Sequence, residues 1–318
     1  MPKKKSPAPP FIPTLDRSLE MPFDEMHLNI EKAIEKLKVP RVRHACRSAI
    51  SHLRKAWLLH PVDSEMSAFR AITAEEEAAT AVIRALRERR YPNSEKLSDR
   101  SHPQKSAIWP FIVAISNVMT EKNITMPSMA LRLEGEPRVE LSFDLGSPAK
   151  LEQPLWGQLD EPFNFSMRSD RTGPFKLHDF SEELAAIASG KGAKSIEAYV
   201  LSEGNLRNQL IYASDQGIPS IAFEDGFLLE RRRRVTAMAI LAIAIMQTPT
   251  HQLFLVQCLD ALLRAVQRFD GAPLDMPELD PALEHLELAE QPDGTMKLSL
   301  IRPVKTLSFR YSSPPRTK

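Results

Sequence analysis

Two consecutive stretches decide the fold: RVRHACRSAISHLRKAWLLH at 41–60 and SEMSAFRAITAEEEAATAVIRAL at 64–86. In the first, Val42, Ala45, Ala49, Leu53, Ala56 and Trp57 recur mostly three or four residues apart. That is the period of one face of an α-helix. In the second, Met66, Phe69, Ile72, Ala79, Val82 and Leu86 form a similar stripe. Pro40 suits the first turn of a helix, and Asp63 or Ser64 can cap the next one. Tyr91-Pro92 ends it, because proline cannot continue a helix and restricts the residue before it. Helices are also expected over 24–37 and 104–119, the latter bent at Pro110. Short connections favour antiparallel neighbours, so 23–125 reads as a helical bundle.

Beyond 125 the pattern changes. Residues 129–134 and 138–145 alternate around Gly135-Glu136-Pro137, which predicts a hairpin. A strand over 162–167 is expected, then a helix over 181–188, a strand over 195–201, a helix over 205–213 and a strand over 219–223. Two long helices follow, 228–247 and 252–269, split at Pro249. Segments 285–289 and 296–303 flank Pro292-Asp293-Gly294, a turn sequence that predicts a closing hairpin. The expected class is therefore α+β, helix-dominated, with a mixed α/β segment over 126–311. Residues 1–22, with Pro2, Pro7, Pro9, Pro10 and Pro13 and with Lys3 to Lys5, read as a disordered tail, as does 312–318.

Composition narrows the function. The chain has 318 residues with 42 Lys and Arg against 41 Asp and Glu, so 42 − 41 gives +1 and no whole-chain polycation for nucleic acid. Gly is only 11 of 318, which disfavours glycine-rich nucleotide loops, and no Walker, dinucleotide, nucleophile-elbow, zincin or EF-hand motif is present. Cys46 and Cys258 are too few for a disulfide framework or a four-cysteine zinc site, and read as small core residues. No metal or other cofactor is expected. The N-terminus is basic without the apolar stretch of a signal peptide, so a cytoplasmic location is expected. The apolar run at 235–246 is about a dozen residues, short of the ~20 that span a bilayer, and reads as a buried helix.

Charged residues supply the candidate sites. Arg231, Arg232, Arg233 and Arg234 open the 228–247 helix, where cations oppose the helix dipole. That points to an anion or an acidic partner, or to internal ion pairs. Four successive positions sweep round a helix, so they cannot all face one phosphate backbone. Arg43 and Arg47, with Arg41, Arg54 and Lys55, could form a second basic face. Arg70 and Glu77 are two turns apart and share a face, so Arg70, Glu76 and Glu77 are expected to form a charge network within the bundle. No Glu-x-x-His spacing suits a di-metal bundle.

The alanine-rich helix pair, with Ala68, Ala71 and Ala74, then Glu76 and Glu77, then His102 and Lys105, resembles the HEPN superfamily, in particular its abortive-infection V-type branch. Arg207 and Tyr212 match a later Arg…Tyr element of that branch. The resemblance implies an accessory or effector protein of bacterial antiviral defence that binds or cuts RNA. It also implies an Arg-x4–6-His motif for metal-independent cleavage, in which the cation stabilises phosphorane charge and the imidazole moves a proton. Three pairs fit that spacing: Arg47…His52, Arg54…His60 and Arg171…His178. The first two point about 140° and about 240° apart on their helix. Arg171 and His178 flank Gly173 and Pro174 in a loop and are the pair expected to converge. A reading from another class is a non-enzymatic interaction subunit of a larger assembly, with a protein partner or a second copy of the chain. Its motive is the missing catalytic motif, the apolar 235–246 helix and the edge strands that hairpins offer.

Overall fold

The computed structural model describes residues 20–121, 128–131, 137–144, 156–158, 161–167, 177–211, 224–270, 286–290 and 296–300. Helix dominates. The first four helices are α1 (Glu25–Glu35), α2 (Pro40–Leu59), α3 (Ser64–Glu88) and α4 (His102–Glu121). Asp24 caps α1 through its Oδ1, which accepts from His27 N at 3.1 Å. Pro40 opens α2, and Asp63 caps α3 by accepting from Met66 N at 2.8 Å. α3 ends before the proline, with Arg90 in the left-handed conformation (φ 56) and Tyr91 N donating back to Leu86 O. That is a Schellman closure with arginine where glycine is usual.

Cross-helix bonds fix the directions. Ser67 Oγ donates to Ala56 O, and Arg84 Nη1 donates to Arg41 O, so α2 and α3 are antiparallel. Arg47 pairs with Glu35 and Arg54 with Glu31, so α1 also runs against α2. Ala45, Ala49 and Ala56 of α2 and Ala71, Ala74, Ala78 and Ala85 of α3 are buried. Side chains this small let two helix backbones approach closely.

Strands β1 (Ser128–Leu131) and β2 (Pro137–Glu140) pair antiparallel, with Met129 opposite Val139. The second expected arm does not run on to 145. After Leu141 the chain forms β3 (Ser142–Asp144), which pairs with β4 (Trp156–Gln158). Pro137, expected in the turn, is the last partner of Leu131.

Residues 163–167 are not a ladder strand. Phe163 N donates to Gln252 Oε1 and Met167 N to Gln257 Oε1, while Gln257 Nε2 donates to Met167 O and His178 O. Buried side-chain amides do here what a neighbouring strand does in a sheet.

Helix α5 (Ser181–Gly190) is followed by α6 (Ile196–Ile211). The strand expected at 195–201 is thus the start of a helix. Ser195 Oγ accepts from Ala198 N, and Glu197 sits in the first turn, both of which favour a helix start over an extended chain. Helices α7 (Asp225–Gln247) and α8 (Leu253–Asp270) then complete the core, and β5 (Leu286–Glu290) pairs antiparallel with β6 (Met296–Leu300).

α7 packs on α3 along its length. Glu75 meets Arg231 and Arg234 near one end, and Arg89 donates to Met246 O near the other, so the two helices run parallel. From Val235 to Met246 most of α7 is buried, as its apolar composition requires. The hydrophobic core is continuous from Met21 to Leu263 and crosses residue 125. The expected tail shortens, because Met21 is in that core and Pro22 O accepts from Arg232. Residues 1–19, 219–223 and 312–318 lie outside the described residues. No described helix is long and apolar enough to cross a membrane.

Candidate functional site

α4 begins two residues earlier than its apolar pattern suggests. Ser101 Oγ accepts from Gln104 N, and Pro103 stands in the first turn, where its missing N–H leaves no bond unmade. This start places His102 and Lys105, three apart, on one face. That face meets α3 at Glu76. His102 Nδ1 is 2.7 Å from Glu76 Oε1, and Lys105 Nζ is 3.6 Å from Glu76 Oε2. Glu76 and Lys105 are buried, whereas the His102 side chain is 45% exposed. The Glu76 carboxylate also lies at the N-terminus of α4, the favourable end for an anion.

One residue earlier, Glu75 faces α7 and is buried. Its carboxylate binds Arg231 Nη1, and Arg234 Nη1 at 3.3 Å. Glu203 of α6 closes the set, 3.1 Å from Arg234 Nη1. Burial alone would raise the Glu75 carboxyl, but the Arg231 and Arg234 guanidiniums outweigh it and hold the group below the ordinary range. Burial likewise favours loss of the Arg234 proton, and Glu75 and Glu203 overturn it, so the cation is held more firmly than usual. Tyr199 beside them is raised, by burial and then by Glu203. Four carboxylates (Glu75, Glu76, Glu203 and Glu230) thus face three cations (Lys105, Arg231, Arg234), with His102 beside Glu76 as well. That balance is what makes so many buried charges tolerable. A cavity of about 10 Å³ lies between Glu75, Glu76, Lys105, Glu203 and Arg231, the scale of one water molecule.

Several expected sites are redrawn by these contacts. Arg231 and Arg234 are buried ion-pair partners of Glu75, not a phosphate-facing surface. Arg232 donates to Pro22 O, and exposed Arg233 pairs with Glu230 while lying 5.5 Å from the Trp109 ring centre. Arg43 caps the end of α1 by donating to Leu37 O at 2.9 Å, and Arg47 is held by Glu35. The expected network of Arg70, Glu76 and Glu77 is divided. Arg70 Nη1 approaches His52 Nδ1 at 3.4 Å, while Glu76 serves His102 and Lys105. His52 is lowered by burial and by Arg70, with Glu77 opposing.

Of the Arg–His pairs, neither helical one converges. Arg47 turns to Glu35 and His52 to Arg70, while Arg54 turns to Glu31 and His60 lies 3.3 Å from Asp225. Arg171 and Tyr212 lie outside the described residues, as does the side chain of Arg207. His178 is a tie within the fold: Nε2 is 2.9 Å from Glu183, and its ring meets Phe180 edge-on at 4.8 Å. Both cysteines are buried, and burial pushes the Cys46 thiol up to about 12. Among the described residues, no group of three His, Cys, Asp or Glu is placed to hold a metal ion.

Compared with protein-family models, curated proteins and solved structures, the chain matches none.

Proposed function

We propose that this chain is a HEPN-like accessory or effector protein of antiviral, abortive-infection defence that acts on RNA. In this reading it is a cytoplasmic protein with an N-terminal helical bundle, a mixed middle segment and a C-terminal helix pair closed by a hairpin. The observation that supports it is the meeting of Glu76, His102 and Lys105, three residues of the sequence resemblance carried on two helices. The Glu76 carboxylate at Nδ1 favours the tautomer with its proton there and the lone pair on Nε2, which is the arrangement of an oriented general base. His102 then takes the proton of a ribose 2′-hydroxyl, whose oxygen attacks the adjacent phosphorus as the 5′-oxygen leaves. The imidazolium returns its proton to that leaving oxygen. Lys105, 3.6 Å from the other carboxylate oxygen, holds Glu76 in place.

The test is a cleavage assay on single-stranded RNA with a chelator present. His102→Ala is expected to lower the rate by roughly 10²-fold or more, the scale of general acid–base catalysis. Absence of both binding and cleavage at low salt removes the RNA reading. A second reading, a non-enzymatic interaction subunit, is favoured by Leu58, Val62 and Met66, large apolar side chains exposed around the α2–α3 turn. Val62→Asp with Leu58→Ser should then abolish self-association or partner capture measured by size. An unchanged size distribution counts against it.

A further inference from the structure

A second cavity lies between α3, α4, α7 and α8, next to Phe163, and it is apolar throughout. Its volume is about 100 Å³. Phe111, Phe163 and Phe254 are among its walls, with Ala237 and Leu241 of α7 and Cys258 of α8. The three phenylalanines and Cys258 are each under 10% exposed, while Ile115, Ala237 and Leu241 are half-buried, so the space reaches into the core and opens on its α4–α7 side. Phe163 and Phe254 lie nearly parallel, 6.3 Å between ring centres.

Native cores are packed to the density of organic crystals, and voids beyond one water are few. The α2–α3 side of this core obeys that rule with alanines at 0–2% exposure. The void on the α8 side therefore stands out. A dry apolar cavity of roughly 150 Å³ is known to accept benzene or xenon. Cys258 is the only described lining residue with a side-chain heteroatom besides the thioether of Met119. Burial holds its thiol far above the ordinary range, in the neutral form. Any hydroxyl or charge on a ligand would go unbonded there, at a penalty that excludes it.

We propose that this cavity is a binding site for a small neutral hydrocarbon group, of the size of one aromatic ring or a short branched chain. The proposal is independent of the RNA reading. The site and the ion cluster share three helices: α3 carries Glu75 and Val82, α4 carries Lys105 and Ile108, and α7 carries Arg231 and Ala237. A ligand that fills the apolar space therefore stiffens the elements that hold Glu76 against His102.

The test uses benzene as the probe and thermal unfolding of the full chain as the readout. Benzene should raise Tm by a constant increment for each tenfold rise in concentration, because a ligand of the native state stabilises by mass action. Phenol at equal concentration should raise it less. Ala237→Leu, which fills the space, should retain its fold and lose the benzene response. Ala237→Val serves if that variant does not fold. No benzene shift in the unsubstituted chain overturns the proposal. So does an equal shift in the filled variant, which would place the benzene elsewhere.

Discussion

Glu75 is the residue on which the buried cluster turns. Removing one partner of a buried ion pair leaves the others uncompensated, so Glu75→Ala should destabilise the chain by about 3–5 kcal/mol in urea unfolding. Its carboxyl is held below the ordinary 4.5 by Arg231 and Arg234. A depressed carboxylate contributes stability that is complete above the unfolded value and is lost as pH falls through the lower folded one. The unfolding midpoint should therefore drop as the medium is acidified below 4.5, and Glu75→Gln should flatten that acid limb; parallel acid limbs would show that other groups carry it. The position was legible in the sequence. Ala71, Glu75, Ala78 and Val82 follow helical spacing, and so do Leu228, Arg231, Val235 and Met238. A charge standing on each buried stripe is a cue to a buried ion pair. It was obscured because Glu75 and Arg231 sit inside runs of like charge, where the neighbours invite a surface reading. Glu203 gave no comparable signal, since its partners Arg231 and Arg234 both lie on α7, 28 and 31 residues further along the chain.

At the scale of single elements, caps and turn residues carried most of the readable information. Asp24, Pro40, Asp63 and Tyr91-Pro92 bound α1 to α3 where their chemistry says they should. The strand reading at 195–201 failed because SIEAYVL alternates over a short apolar run, where strand and helix are hard to tell apart by period alone. Ser195 as a cap was the better guide. Arg90 closes α3 in a conformation that favours glycine, and its side chain is exposed. Arg90→Gly should therefore stabilise the chain by about 1 kcal/mol, read from the urea midpoint. A fall in stability would show that the arginine side chain matters more than its backbone strain. In α8, Gln257 serves Met167 N, Met167 O and His178 O. Gln257→Leu leaves Met167 N and His178 O without this partner, while Met167 O keeps His178 N, at about 1–3 kcal/mol for each donor or acceptor left unbonded. A loss below 1 kcal/mol in the same assay would contradict the role given to this amide.

The whole molecule is where sequence reasoning reached least far. The parallel contact of α3 with α7 joins residues 156 apart, from Glu75 to Arg231. Nothing local announces a pairing across that distance. The helix pair α2–α3 was visible because its connection is short. Because the core continues from Met21 to Leu263, a fragment of residues 1–125 should lack stable helix by circular dichroism when expressed alone. A cooperative unfolding transition in that fragment would show that the N-terminal helices are self-sufficient. The basic residues of α2 are similarly rebalanced by the fold: Arg41, Arg47 and Arg54 each meet a carboxylate. Binding to RNA should then depend only weakly on salt, with few counterions released. In the proposed function His102, oriented by Glu76, does the chemistry at the junction of α3 and α4. The most direct measurement is the single-turnover cleavage rate of single-stranded RNA by the unsubstituted chain and by His102→Ala, each with its unfolding midpoint. Cleavage is expected to fall roughly 10²-fold or more in the variant at an unchanged midpoint. Equal rates in the two proteins, or no cleavage by either, would contradict it.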